Sequence, residues 1–284
     1  LFIVNILTQI GLGIFMIVYN FYIRELGFAE TVNGNVIAAS SLAAAIILIP
    51  AGILSDRIGR KKMMLYGVFF SGIFMFLRSI FELESLLLVS AFIAGIAMAF
   101  IQVTAVPWLA ESSTKEQRVK LFSYHFAVMM GANVVGNLLG GTITDLLLHV
   151  VGLSPVWSIR LTLLLGSLIF MLGIIPLWKT TEVQREKENK AFTFKNFQAS
   201  IPKGQWKLIF AFSFASILVG FGSGLVIPYL NMYFADRFGT SNSTIGIVLS
   251  LGQAVTAVAM IIGPAVVRKV GEMRAVVILQ LLSL

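Results

Sequence analysis

The side chains best suited to chemistry lie in one run, Gly52-Ile53-Leu54-Ser55-Asp56-Arg57-Ile58-Gly59-Arg60-Lys61. A single acid stands among cations, between two glycines. An aspartate at the edge of an apolar segment needs a cation or the free N–H groups of a helix start, where the helix dipole favours negative charge. Gly59 permits a tight turn and Gly52 a close approach of helix backbones. The pattern therefore asks for an ion-pair device at a turn rather than a nucleophile.

A second set is neutral. Gln9, Asn20, Gln102, Asn133, Asn137, Asn231 and Gln253, with Tyr229, interrupt long apolar runs. Amides at such depth are costly unless they bond one another or face a water-filled cavity. Any one of them is more often an interhelical hydrogen bond than a ligand, but as a set they describe a neutral, amide- and aromatic-lined route. Asn5, Gln9, Gly13, Met16 and Asn20 recur every three to four residues, which puts them on one helical face. Tyr124 and His125 are weaker members of the set.

Several chemistries are not expected. The chain has no cysteine, which excludes disulfides and thiolate sites. His125 and His149 would need carboxylates to hold a metal, and no Asp or Glu lies deep in an apolar run. Glu25, Glu30, Glu82, Glu84, Asp145 and Asp236 all fall at run ends. A coupling proton would have to sit on His125, on a boundary acid or beyond Leu284. No nucleophile–base pair is apparent, so an enzyme is the least expected class. The net charge of +8 comes without a basic groove interleaved with aromatics, so nucleic acid is not an expected partner.

The elements that must position these residues are membrane helices. Hydrophobic residues make up 58% of the chain and charged ones 12%, against about 25% charged in soluble domains. The mean hydropathy is +0.92. Apolar runs near 20 residues match a helix crossing a bilayer, whereas barrel strands would alternate over about ten. Spans are predicted at about 1–22, 32–53, 63–81, 86–107, 120–143, 157–178, 208–235, 242–263 and from 275 onward. The polar stretch 179–206, with Phe192, Phe194 and Phe197 alternating with polar residues, reads as a linker. All Lys and Arg except Arg24, Arg78, Arg160 and Arg237 fall after even-numbered spans. That asymmetry predicts cytoplasmic even loops and a cytoplasmic linker. Starting at Leu1 without a basic n-region, the chain is not expected to carry a signal peptide, and it reads as a fragment cut within a span at each end.

The chain also repeats. Gly27, Gly34 and Gly59 recur as Gly239, Gly246 and Gly271, each 212 residues later. Asn242-Ser243-Thr244 offers capping groups to the eighth span, as Thr31 and Asn33 do to the second. Two parallel six-helix repeats are implied, an arrangement known among transporters.

The run Gly52–Lys61 resembles the signature loop of the major facilitator superfamily, G-x-L-[A/S]-D-R-x-G-R-[R/K]. The segment 109–118 resembles that family's loop after span 4, with Ser113 and Glu116 as a capping box for span 5. The loop containing Arg268, Lys269 and Gly271 is a degraded second copy with Arg268 in the place of Asp56. The resemblance implies an all-α membrane fold of two pseudo-symmetric six-helix bundles, with eight to nine of twelve spans present here. The implied domains are a first bundle over 1–178, a cytoplasmic linker over 179–206 and the start of a second bundle over 207–284. It further implies that Gly52, Asp56, Arg57, Gly59, Arg60, Lys61, Glu111 and Arg118 form a conformational latch. Span 5 carries Gly136-Asn137-Leu138-Leu139-Gly140-Gly141, close to the G-P-x-x-G-G of proton-coupled exporters but with asparagine for proline; close helix packing accounts for it equally well. The stretch after span 6 lacks the sugar-porter pattern.

The expected function is alternating-access transport of a small neutral or amphipathic solute, with efflux favoured. An uptake facilitator or symporter is the alternative, followed by a flippase, receptor or scaffold of the same fold. No cofactor is expected, and a proton or sodium gradient is the candidate energy source. The expected protein is a monomer in the plasma membrane, with the bilayer and a small solute as partners.

Overall fold

The computed structural model describes residues 1–114, 117–180, 206–271 and 274, excluding the side chains of Val119, Leu208 and Pro264. The described elements are α1 (Phe2–Glu25), α2 (Glu30–Ile58), α3 (Arg60–Arg78), α4 (Glu84–Glu111), α5 (Arg118–His149), α6 (Pro155–Leu172) and α7 (Ile174–Lys179). They continue with α8 (Trp206–Val226), a 3-10 turn (Ile227–Tyr229), α9 (Leu230–Phe238) and α10 (Asn242–Val270). Seven stretches among the described residues are long and apolar enough to span a membrane. With no water in a bilayer core, helices satisfy their own backbone groups, which is why apolar runs of this length fold this way.

Two compact units form. Leu1–Val183 packs with Thr240–Leu284, and Gln184–Gly239 makes the other. In the larger unit α1 lies against α5 and α6, α4 against α2 and α3, and α10 against α5. Its most deeply buried side chains include Tyr22, Met63, Met64, Leu87, Leu163 and Phe170. Large apolar side chains such as Ile46, Ile49, Val89 and Trp178 remain exposed, as expected of a surface that meets lipid rather than water.

The 212-residue repeat extends to helix bounds and backbone angles. Helix α2 runs from 30 to 58 and α10 from 242 to 270. Gly59 (φ 101°, ψ 149°) and Gly271 (φ 83°, ψ 157°) end them in the same region of backbone space, one open essentially to glycine alone.

Some expectations need correction. The signature run is not an extended loop: Gly52–Ile58 is helical, Gly59 alone breaks the chain, and Arg60 starts α3. A Cβ at Gly52 would meet nothing within 4 Å, so the close approach expected there is not found. The cap of α10 is Ser241, whose hydroxyl accepts from the Thr244 N–H at 3.3 Å, rather than Asn242–Thr244. Helix α2 starts at Glu30, after Ala29, without a side-chain cap. Helix α5 begins only at Arg118, and the Ser113 hydroxyl donates to the Ala110 carbonyl at 3.2 Å instead of capping it. Glu116, Phe192, Phe194, Phe197 and the span expected from 275 lie outside the described residues. The span expected at 208–235 is interrupted at Ile227–Tyr229, because Pro228 lacks an N–H and its ring crowds the preceding turn.

Candidate functional site

At the basic end of the larger unit, where the Lys- and Arg-rich junctions lie, Arg60 is the centre of a polar cluster. As the first residue of α3 it points back across the Gly59 break. It is 8% exposed. Its Nη1 donates to Ser55 Oγ at 2.8 Å and its Nη2 to Glu111 Oε1 at 3.1 Å, and it also pairs with Asp56. Ser55 lies 3.2 Å from Thr104 Oγ1. One guanidinium therefore ties the end of α2 to both α3 and α4. The planar fork of arginine can serve several acceptors at once, which a lysine ammonium on the same stem does not reproduce. Lys61 donates from Nζ to the Trp178 carbonyl at 2.9 Å, where a cation also complements the C-terminus of α7. Arg57 is exposed, and Arg118 Nε has no hydrogen-bond partner among the described residues. Of the residues that the resemblance puts in a latch, the structure brings Asp56, Arg60 and Glu111 together, and among the described residues Arg57 and Arg118 form no ion pair in that cluster. Sequence reasoning placed Ser55 in the run without giving it a role and missed Thr104, although a hydroxyl near a helix end beside a charged run could have drawn attention.

The second arrangement runs between α1 and α5. Asn137 Nδ2 donates to Asn133 Oδ1, and Asn133 Nδ2 to Gln9 Oε1, each at 3.4 Å. Nearer the basic end, the Asn5 amide meets His125 Nδ1 at 3.1 Å, and Phe2 packs edge-on against the ring. His125 is 1% exposed. The helices approach closely enough for this because Gly13 faces Asn133: a Cβ at Gly13 would stand 2.7 Å from the Asn133 carbonyl oxygen. The glycines of span 5 do the same work. Gly136 and Gly140 sit against α1, and Gly141 against Asn242 of α10. Asn20 is buried, whereas Met16 and Gln102 are exposed and stand apart from this track. Gln253 on α10 has a buried Oε1 with no hydrogen-bond partner among the described residues. In the smaller unit, Tyr229 ends the 3-10 turn after α8 and Asn231 lies in the first turn of α9, where its Oδ1 accepts from the Met232 N–H at 2.9 Å.

At the opposite end, acids and cations that look merely peripheral in the sequence are engaged. Arg160 bonds Tyr22 Oη at 3.2 Å and pairs with Glu82. Arg78 donates to Tyr19 Oη at 3.1 Å while lying 4.1 Å from the centre of its ring, a cation–π arrangement. Asp145, near the end of α5, accepts from Asn242 Nδ2 at 2.9 Å and from the Ser243 N–H at 2.8 Å. A carboxylate from α5 thus complements the N-terminus of α10, where N–H groups lack intrahelical partners. Deeper along the same interface, Gly246 faces Asn137, and Ser250 Oγ donates to the Val134 carbonyl at 3.1 Å. The α5–α10 interface is closed from Val134 to Asp145. Towards the basic end it opens into a cleft of about 140 Å³ between Lys120 and Arg268.

The sequence profile of the Major Facilitator Superfamily matches residues 1–284. Quinolone resistance protein NorA of Staphylococcus aureus is 23% identical over 250 residues, covering 87% of this chain and 60% of NorA. Multidrug resistance protein 1 of Bacillus subtilis is 26% identical over 261 residues, covering 89% of this chain and 62% of that protein. A bacterial homologue of the human lysosomal transporter Spinster, solved inward-facing and unoccupied, superposes with a TM-score of 0.70 at 17% identity. That match covers 94% of this chain and 61% of the other. The chain spans about three-fifths of the length of the curated relatives it matches.

Proposed function

The chain belongs to the major facilitator superfamily, and from that premise we propose that it forms part of a secondary transporter exporting small neutral or amphipathic solutes. The observation that carries this is similarity along 87–89% of the chain to proteins named for quinolone and multidrug resistance. Among the described residues, mid-span polar groups that are neutral amides and hydroxyls agree with it. The protein is a non-enzymatic carrier, monomeric in the plasma membrane, with its basic end in the cytoplasm as the Lys and Arg asymmetry favours. Residues 1–178 make the first bundle, 179–206 the linker and 207–284 the start of the second. Gln9, Asn20, Gln102, Asn133, Asn137, Tyr229, Asn231 and Gln253 contribute to the solute path. The Arg60 cluster, with Gly52, Arg57, Gly59, Lys61 and Arg118 around it, is the cytoplasmic latch.

The energy source is an ion gradient. In proteoliposomes of the full-length protein, an amphipathic dye and a quinolone should move when a proton gradient is imposed and stop when it is collapsed. Flux indifferent to the gradient would remove the antiport reading. No flux across a broad solute panel would remove the transporter.

The Asp145 contact is the external counterpart of the latch. Asp145→Ala removes the acceptor for two donors, and hydrogen bonds to a charged group are worth about 1.5–3 kcal/mol. The chain has no cysteine, so one placed at Ile245, which is 1% exposed near the start of α10, can report on opening. Its labelling by a membrane-impermeant maleimide should rise about tenfold in the Asp145→Ala background. Equal labelling would mean that the contact holds nothing closed.

A further inference from the structure

We propose that the cleft between the basic ends of α5 and α10 binds a phosphate-bearing anion, and its position favours the headgroup of an anionic lipid. Lys120, Ser123 and Tyr124 line it from α5, and Ile261, Ala265 and Arg268 from α10. Ser123 and Tyr124 lie three and four residues after Lys120, and Ile261, Ala265 and Arg268 are four and three apart, so each set shares one face of its helix. The two faces are graded in the same sense. Lys120 and Arg268 stand at the mouth, Ser123 and Tyr124 supply hydroxyls about one turn further in, and Ile261 and Ala265 form an apolar floor. Charge, then hydroxyl, then hydrocarbon is the order in which an inserted lipid presents its phosphate, ester region and acyl chains.

Neither Lys120 nor Arg268 makes an ion pair or hydrogen bond among the described residues. This contrasts with Arg60, whose charge is met by Asp56 and Glu111. The contrast follows from the internal repeat. Arg268 stands 212 residues after Asp56, so the second copy places a base where the first has the neutralising acid. Helix α5 begins at Arg118 without a side-chain cap, and the positive end of its dipole lies at the same mouth. Tyr124 is 56% exposed, as suits an aromatic at the headgroup level. Basic pockets between membrane helices on the cytoplasmic side are places where acidic headgroups bind. The site does not depend on the transport reading; the proposed orientation decides only which leaflet supplies the lipid.

The test compares full-length protein in nanodiscs of phosphatidylglycerol or phosphatidylcholine, with retained lipid read by native mass spectrometry. Inorganic phosphate binding to the delipidated protein is measured alongside. Wild type should retain phosphatidylglycerol preferentially, and Lys120→Gln with Arg268→Gln should weaken that retention about thirtyfold. The charge-matched pair Lys62→Gln with Lys269→Gln, which does not line the cleft, should keep it. Loss of inorganic phosphate binding in the first pair with unchanged lipid retention would support the site with a free phosphate as its source. Equal losses in both pairs, or loss in neither, would overturn it.

Discussion

Arg60→Gln should lower solute flux about tenfold or more while leaving the amount of protein in the membrane near wild type. The guanidinium is mostly buried and serves Ser55, Asp56 and Glu111. Glutamine keeps some hydrogen bonding but removes the Arg60 charge from both carboxylates. Breaking a fully buried ion pair costs about 3–5 kcal/mol. Asp56 and Glu111 retain 58% and 26% exposure of their side chains, so water recovers part of that and about 2 kcal/mol is the fitting scale. A change of that size shifts a two-state equilibrium about thirtyfold, enough to depopulate the conformation the cluster holds without unfolding a bundle packed elsewhere. Arg60→Lys should fall between, since the charge remains and the fork is lost. Asp56→Asn should also impair flux, by removing one of the two acids. Wild-type flux in Arg60→Gln would mean that the junction serves orientation and packing only.

Gly95→Val should prevent the first bundle from assembling. A Cβ at Gly95 would fall on the backbone of Ser40, 2.8 Å from its carbonyl carbon and 2.9 Å from its Cα. Backbone inside two packed helices has little freedom to yield, unlike the tip of a flexible side chain. Overpacking commonly costs about 1–3 kcal/mol, and this site belongs at or beyond the upper end, about 3 kcal/mol. Size-exclusion profiles and thermal unfolding of the detergent-purified protein should show aggregation or a large loss of stability. Gly131→Ala is the matching control. Nothing lies within 4 Å of that position, and alanine is favoured over glycine in helices by about 1 kcal/mol. A Gly95→Val protein as stable as Gly131→Ala would show that α2 and α4 do not cross this closely.

Membrane helices announce themselves through length and composition, so the first eight spans are readable in the sequence, although the seventh is broken at Ile227–Tyr229 and the fifth runs on to His149. The repeat is equally plain, because Gly59 and Gly271 occupy a backbone region that other residues avoid. Aligning the two copies by their glycines is enough to set Arg268 opposite Asp56. Helix partners are a different matter. A helix that is apolar all round does not declare which face meets protein and which meets lipid, so Gly52 and Gly95 look alike in sequence. Only the packed structure puts Ser40 against Gly95 and open space beside Gly52.

The polar network divides in the same way. The sequence alone determines that Gln9, Asn133 and Asn137 need partners and that Asp56 needs a cation, because each cost is set by the residue and its apolar surroundings. The tertiary structure decides that Arg60 rather than Asp56 is the centre, and that Asp145 of α5 meets the start of α10. Such pairings arise only when helix crossings bring together groups distant along the chain.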